Sequence, residues 1–387
     1  MILSVLNSAD VTLLTSTFVL VKSLLFIIPQ LVTQQYDTSS QLLFTSTQVP
    51  WIANYVLPRF LVWDTVFFIK IAQRGYIYEQ EWAFNGWLWT GTIRVVGDIY
   101  IYAIAVIIIA HAFHYLAVVT LYIASTYVEK FIRPAKSNTV KKGRRSMFPL
   151  LSALLFIISP GGIFMSAGYS ETLFAYFSFL GIVFREANFH VLAGVSFAIT
   201  ACIRGNGILW GIVFLNDLYE SFIVRRKYGK SIGIIVGGSL VGAGFLSGQV
   251  FAYCRYCPGR EWCEAMPPLI YKFVQSYYWD NGLFKYWRTW QIPNFFFAFP
   301  TWFLFYRSFQ RYAGVSHLRP YVIIQALMGI MSLLLWHVQI ITRVGTCMPL
   351  VYWYVAERRH EGLWEVRYMI TWIGVQAVLF ASFIPPA

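Results

Sequence analysis

Residues 98–128 read DIYIYAIAVIIIAHAFHYLAVVTLYIASTYV, and after Asp98 no Asp, Glu, Lys or Arg interrupts the run before Glu129. About 20 predominantly apolar residues suffice for a helix to cross a bilayer, so this stretch spans with residues to spare. The whole chain has the same character. Its 387 residues are 58% hydrophobic and 19% aromatic but only 12% charged, with a mean hydropathy of +0.58. Soluble domains are roughly 25% charged. A surface this poor in charge excludes a cytosolic enzyme, a secreted disulfide scaffold and a disordered regulator.

Outward from that run, about eleven segments reach or approach spanning length. They lie at residues 11–33, 98–128, 148–166, 169–185, 191–203, 206–223, 231–252, 292–309, 320–341, 346–356 and 368–385. Those at 191–203 and 346–356 are nearer half-helices. The expected fold is an all-α integral membrane protein, a single polytopic domain over residues 1–387 with about 9–12 transmembrane helices. The first apolar segment lacks a basic n-region and a small-residue cleavage site, so it reads as a retained anchor.

The net charge of +13 arises from 30 Lys and Arg against 17 Asp and Glu. With the N-terminus in the cytoplasm, 18 of the basic residues fall on the cytoplasmic side and 11 on the other, with Lys22 inside the first span. Lys130, Arg133, Lys136, Lys141, Lys142, Arg144 and Arg145 form the densest cytoplasmic cluster. This is the positive-inside pattern, and it accounts for the charge without a nucleic-acid partner.

Two non-cytoplasmic stretches, 34–97 and 253–291, are long and carry groups capable of chemistry. The first contains Asp64, Lys70, Arg74, Glu79 and Glu81. From Phe60 to Ala72 it is apolar enough to lie in the interface as a helix, with Trp63 and Phe67 one turn apart. Asp64 then sits at membrane depth, where an ionisable side chain is costly and marks function; otherwise it is an ordinary acid at the positive end of a helix. Asp64, Glu79 and Glu81 are the carboxylates from which a general base can be drawn, and spacing does not choose among them. With neither a His nor a DxD pair in this stretch, a catalytic metal is not implied.

The second stretch holds Cys254, Cys257 and Cys263. A CxxC beside a third Cys is half of a zinc site, but a fourth ligand is not close; one disulfide among the three fits an oxidising compartment, leaving an odd thiol or a pairing with Cys347. Aromatic residues crowd positions 279–290, Trp279 and Trp287 among them, and lead into Gln291 and Asn294. They form either an interfacial belt or a platform for a sugar or polyprenyl chain. Arg204 and the group His337, Gln339 and Arg343 lie near span ends, as phosphate ligands or as structural caps.

In order along the chain, these residues resemble the GPI mannosyltransferase 2 family. The resemblance rests on VWDTVFFIKIAQRGY at 62–76 with YEQEWAF at 78–84, on Ser159-Pro160 with Ile163-Phe164 and Tyr169-Ser170-Glu171, and on Arg204-Gly205-Asn206-Gly207. It continues through the 256–279 loop into QIPNF at 291–295, and through His337-Val338-Gln339 with Thr342 and Arg343. It covers about residues 55 to 355; Gly205 stands where many relatives carry Ser, and Gly161-Gly162 replaces a commoner Pro-Ala-like stretch.

The resemblance implies a GT-C type glycosyltransferase of the endoplasmic reticulum membrane with a luminal site. Such an enzyme adds the second mannose, α1,6-linked, to the GPI-anchor precursor from dolichyl phosphate mannose, by one inverting displacement. It needs no cofactor or metal, and a small accessory membrane subunit is a further partner. On this reading Asp64 is the base, with Glu81 or Glu79 as a second carboxylate. Arg204, Arg343 and His337 meet the donor phosphate, with Lys70 and Arg74 as alternates. Trp63, Trp279, Trp287, Gln291, Asn294 and Gln339 face the acceptor or lipid. The alternatives are another dolichyl-phosphate-sugar-dependent transferase and a multi-span lipid or solute transporter.

Overall fold

The computed structural model describes residues 7–43, 55–84, 86–95, 99–133, 146–224, 226, 228–358, 361 and 363–385. These residues form helices and turns, with no β-strand among them. Of the basic cluster, Lys136, Lys141, Lys142, Arg144 and Arg145 lie outside the described residues, as do 44–54, 85, 96 and 97 of the first polar stretch. Among the described residues, five helical segments are long and apolar enough to cross a membrane: Ser8–Gln30, Ile101–Ile132, Gly205–Val224, Ser231–Tyr256 and Ser316–Leu334.

In chain order, the helices used below are α1 (Ser8–Gln30), α2 (Asp64–Arg74), α3 (Ile99–Ile132), α4 (Phe148–Ile157), α5 (Glu171–Glu186) and α6 (His190–Ile203). They continue with α7 (Tyr228–Tyr256), α8 (Ile270–Tyr277), α9 (Ile292–Tyr312), α10 (Arg319–Leu334), α11 (Pro349–Glu357) and α12 (Leu363–Ala381). The expected half-helices at 191–203 and 346–356 are the short helices α6 and α11. Two expected spans are shorter than their apolar length. The 148–166 segment leaves helical geometry after Ile157, ahead of Pro160 and two glycines, and the 320–341 segment stops at Leu334 and continues as separate turns.

Small residues let the bundle close. A Cβ built on Gly194 of α6 would lie 2.3 Å from the Cα of Gly237 in α7, and one on Gly244 would lie 2.5 Å from the carbonyl oxygen of Ala198. Backbones at this separation gain van der Waals contact that larger side chains would prevent, the usual basis of helix association in lipid.

The segment between α4 and α5, residues 158–170, made of turns and one short 3-10 helix at Gly162–Met165, is the hub of the fold. Pro160 accepts hydrogen bonds at its carbonyl from Trp372 Nε1 and Gln376 Nε2, both at 3.1 Å, and Ile163 N–H donates to Gln376 Oε1 at 3.1 Å. Lys22, buried in α1, donates from Nζ to the carbonyl of Met165 at 2.8 Å and to Ser166 Oγ at 2.7 Å. Thr65 of α2 donates to the carbonyl of Ala167 at 2.9 Å. A short irregular segment is thereby tied to α1, α2 and α12, and its polar backbone is satisfied inside the membrane protein, where water is not at hand.

Gly162 makes this possible. Its φ is +42°, a region that L side chains avoid, and a Cβ there would fall 2.2 Å from Gln376 Oε1. Gly162→Ala is expected to displace Gln376 and break its two bonds to the hub, so that the purified variant shows a lowered thermal midpoint and little activity. Gly374→Ala, which meets nothing within 4 Å, is expected to behave as wild type. Equal behaviour of the two variants in the same detergent would contradict this account.

Candidate active site

Helix α2 begins at Asp64 and not at Phe60, because Trp63 adopts φ +58°, ψ −125° and cannot belong to a helix. Left-handed backbone at a large residue persists only where the surroundings enforce it, and it concentrates at functional sites. Here the enforcing group is Tyr169. Its hydroxyl donates to the carbonyl of Val62 at 2.9 Å and accepts from the Asp64 N–H at 3.2 Å, clamping both sides of Trp63. The result aims the Asp64 carboxylate into a cavity of about 420 Å³.

Asp64, Arg204 and Arg343 line that cavity, and the buried Glu171 joins them from behind. Arg343 donates from Nη2 to Asp64 Oδ2 at 3.0 Å and from Nε to Glu171 Oε1 at 2.8 Å, and Arg204 lies 2.6 Å from the same Glu171 oxygen. The Arg343 guanidinium is also flanked by the rings of Phe164 and Tyr169, at 4.5 and 4.7 Å. Two carboxylates and two guanidiniums balance, so the cluster carries no net charge into a poorly hydrated site. Arg343 spends Nε and Nη2 on these carboxylates; among the described residues its Nη1 has no partner.

Asp64, Arg204 and Arg343 therefore converge as the sequence suggests, and Trp63, Trp279, Gln291, Asn294, Gln339 and His337 share the walls of the same cavity. Other expectations are corrected. Glu81 is turned away, accepting from Arg74 at 2.5 Å and from the N–H groups of Ile77 and Tyr78 at 2.9 and 3.1 Å. Glu79 accepts from Arg260 at 2.7 and 2.6 Å and from Trp262 Nε1 at 2.9 Å. Neither lines the cavity, nor do Lys70, Arg74 and Trp287. Trp287 instead faces outward, half exposed, with Nε1 on the carbonyl of Leu333 at 2.8 Å. The carboxylate that joins Asp64 at the two guanidiniums is Glu171, whose signal in the sequence is an acid isolated between apolar stretches.

His337 is built into the aromatic wall. Burial pushes its imidazole below the ordinary histidine range, while its Nε2 sits 3.1 Å from the carbonyl of Trp279 and its ring stacks on Tyr286 at 4.7 Å. A neutral ring donating to Trp279 holds the aromatic wall in place. The zinc alternative also falls away: Cys257 and Cys263 form a disulfide, Cys254 is an exposed free thiol, and Cys347 is buried and unpaired.

The two polar stretches pack together into one lobe over the cavity. Gln275 Nε2 donates to the carbonyl of Ala83 at 2.6 Å, Trp279 contacts Phe67 and Phe84, and Tyr76 stacks on Trp82 at 4.2 Å. The Glu79–Arg260–Trp262 contact pins the outer side, reaching 181 to 183 residues along the chain.

The chain is similar to proteins of known family. The family model described as Mannosyltransferase (PIG-V) matches residues 10–318 and 315–387. The chain is 38% identical over 379 residues to a protein of Yarrowia lipolytica named GPI mannosyltransferase 2, covering 97% of this chain and 99% of the relative. Proteins of the same name from Candida albicans and Schizosaccharomyces pombe are 29% and 30% identical, covering 91% and 84% of this chain and 94% and 73% of the relatives. No solved structure matches the chain.

Arg260 holds the Glu79 carboxyl below its usual range. A depressed carboxyl contributes stability above its ordinary titration range and loses it as pH falls through the depressed value. Glu79→Gln is therefore expected to lower the thermal midpoint at pH 7, with the gap to wild type closing as the buffer is taken towards pH 3. A gap that stays constant with pH would show that the charge plays no part.

Proposed function

The chain belongs to the Mannosyltransferase (PIG-V) family, and from that premise we propose that it is a multi-pass membrane glycosyltransferase adding the second mannose to the GPI-anchor precursor. The observation that carries the chemistry is the meeting of Asp64, Arg204 and Arg343 on the wall of one cavity, with Glu171 buried behind them and bonded to both guanidiniums. In finer detail, the reading takes dolichyl phosphate mannose as donor, the one-mannose glycolipid as acceptor and an α1,6 linkage as product. It puts the site on the luminal side of the endoplasmic reticulum membrane and the N-terminus in the cytoplasm, with a small accessory membrane subunit as a partner.

Transfer from a β-linked donor to an α-linked product is a single inverting displacement. The acceptor 6-hydroxyl attacks the mannose anomeric carbon while the bond to the phosphate oxygen breaks. Its proton passes to Asp64, and the electron pair leaves with dolichyl phosphate. Asp64 suits the base because Arg343 occupies only Oδ2 and fixes the carboxylate plane, which leaves Oδ1 for the incoming hydroxyl. The leaving phosphate is met by the free edge of Arg343 and by Arg204, in a poorly hydrated site where such contacts are strong. Glu171 orients both guanidiniums. No step is routed through a metal. Trp279 with Gln291, Asn294 and Gln339 forms the acceptor side.

Removing a positioned general base costs about 10²- to 10⁴-fold in rate. Purified Asp64→Asn is expected to lose mannose transfer to that extent while still binding donor, and cells lacking the protein are expected to accumulate a one-mannose GPI intermediate. Near wild-type transfer by Asp64→Asn would remove it as base. Accumulation of a truncated N-glycan precursor would identify a sibling transferase instead.

A further inference from the structure

The cavity has a second chemical half. Away from the ion cluster its walls carry the neutral amides of Asn206, Gln275, Asn281, Gln291, Asn294 and Gln339. Part of their capacity is consumed internally: Asn294 Nδ2 donates to Tyr286 Oη at 2.8 Å and to Gln291 Oε1 at 2.6 Å. The orientation of Asn281 is set by a chain of bonds. Gln275 spends its Nε2 on the Ala83 carbonyl at 2.6 Å, so its Oε1 must be the acceptor for Asn281 Nδ2, and Asn281 Oδ1 is left over.

Three buried amide atoms consequently have no partner among the described residues: Asn206 Nδ2, Asn281 Oδ1 and Gln339 Oε1. Gln339 as a whole is only 6% exposed. A buried polar atom without a partner is costly, and several on the walls of one cavity point to a ligand that satisfies them together. The set offers two acceptors and one donor, with no net charge. Beside it stand the immobilised faces of Trp279, held by His337 and Gln80, and Tyr286, stacked on His337. An anion would need a cation here and an ammonium would need a carboxylate. An uncharged ring bearing several hydroxyls and one apolar face suits what is present.

We propose that Asn206, Asn281 and Gln339 form a pyranose subsite that reads the hydroxyls of the acceptor's terminal sugar, with Trp279 and Tyr286 against its apolar face. The proposal rests on the transferase reading above and adds a division of labour: charges for the reacting phosphate and hydroxyl, neutral amides for recognition. The sugar assigned is the acceptor's, because Asn281 and its support Gln275 belong to the lobe built from the two polar stretches, whereas the donor sugar must lie against Arg343 and Arg204, which meet its phosphate.

The test uses full-length protein in lipid nanodiscs with dolichyl phosphate mannose and a synthetic mannosyl-glucosaminyl-inositol phospholipid. Gln339→Met and Asn281→Leu are expected to raise the acceptor KM about tenfold, with kcat falling less than threefold and the donor KM unmoved. Acceptors lacking single hydroxyls on the terminal mannose are expected to show one whose penalty with wild type disappears in Gln339→Met. A rise confined to the donor KM would move the subsite to the donor sugar and overturn the assignment, and a fall in kcat alone would make these residues structural. Binding of the soluble acceptor headgroup, read by tryptophan fluorescence in the Asp64→Asn background with and without Gln339→Met, does not depend on turnover. Equal affinities there would refute the subsite, whereas absence of transfer by wild type would count against the enzyme reading alone.

Discussion

A guanidinium in an apolar interior has to be matched, and Arg343 is matched everywhere but at Nη1: Asp64 and Glu171 bond Nη2 and Nε, and Phe164 and Tyr169 flank the group. Breaking a buried pair by removing one partner typically costs about 3–5 kcal/mol, because the other charge is left stranded. Each member of the cluster therefore depends on the rest, and the elements that bring them in are committed to one geometry. Asp64 arrives from a polar stretch near one end of the chain, Glu171 from the head of α5, Arg204 from the end of α6, and Arg343 from a turn after α10.

That commitment is realised through segment 158–170, which is irregular where an uninterrupted span would be expected. Breaking the helix at Pro160 costs backbone hydrogen bonds, and these are recovered from Trp372, Gln376 and Lys22. The break serves the site directly. It supplies Phe164 and Tyr169 to Arg343, the Tyr169 hydroxyl to the Trp63 turn and the Ala167 carbonyl to Thr65. One strained turn and one broken helix thus lock each other.

Much of this was legible beforehand because charges in apolar surroundings are few and conspicuous. Asp64, Arg204 and Arg343 stand out for that reason, and they converge. Glu171 escaped because it begins an apolar helix, where an acid is also the ordinary complement of the dipole. Glu79 and Glu81 attracted notice as carboxylates in a polar stretch, but whether an acid serves chemistry or structure depends on what faces it, and Arg260, Trp262 and Arg74 come from places that spacing does not reveal. His337 is hidden for the same kind of reason: burial lowers its pKa, and its hydrogen-bond partner, the Trp279 carbonyl, lies 58 residues away in the chain. The truncated spans at 148–166 and 320–341 show that hydropathy reports which residues tolerate lipid, not which of them are helical.

Lys22 carries a consequence for how the protein is made. The first span enters the membrane with an ammonium near its middle, a placement that insertion scales set at about 2.5–3.5 kcal/mol against. Its acceptors, Met165 and Ser166, are synthesised 143 and 144 residues later. Until they arrive, the amine of α1 lacks both acceptors; once the hub closes, its two hydrogen bonds are made. Satisfying the first helix therefore waits on the same segment that brings Tyr169 to the Trp63 turn, and a chain that fails to build the hub leaves its buried lysine without these two partners.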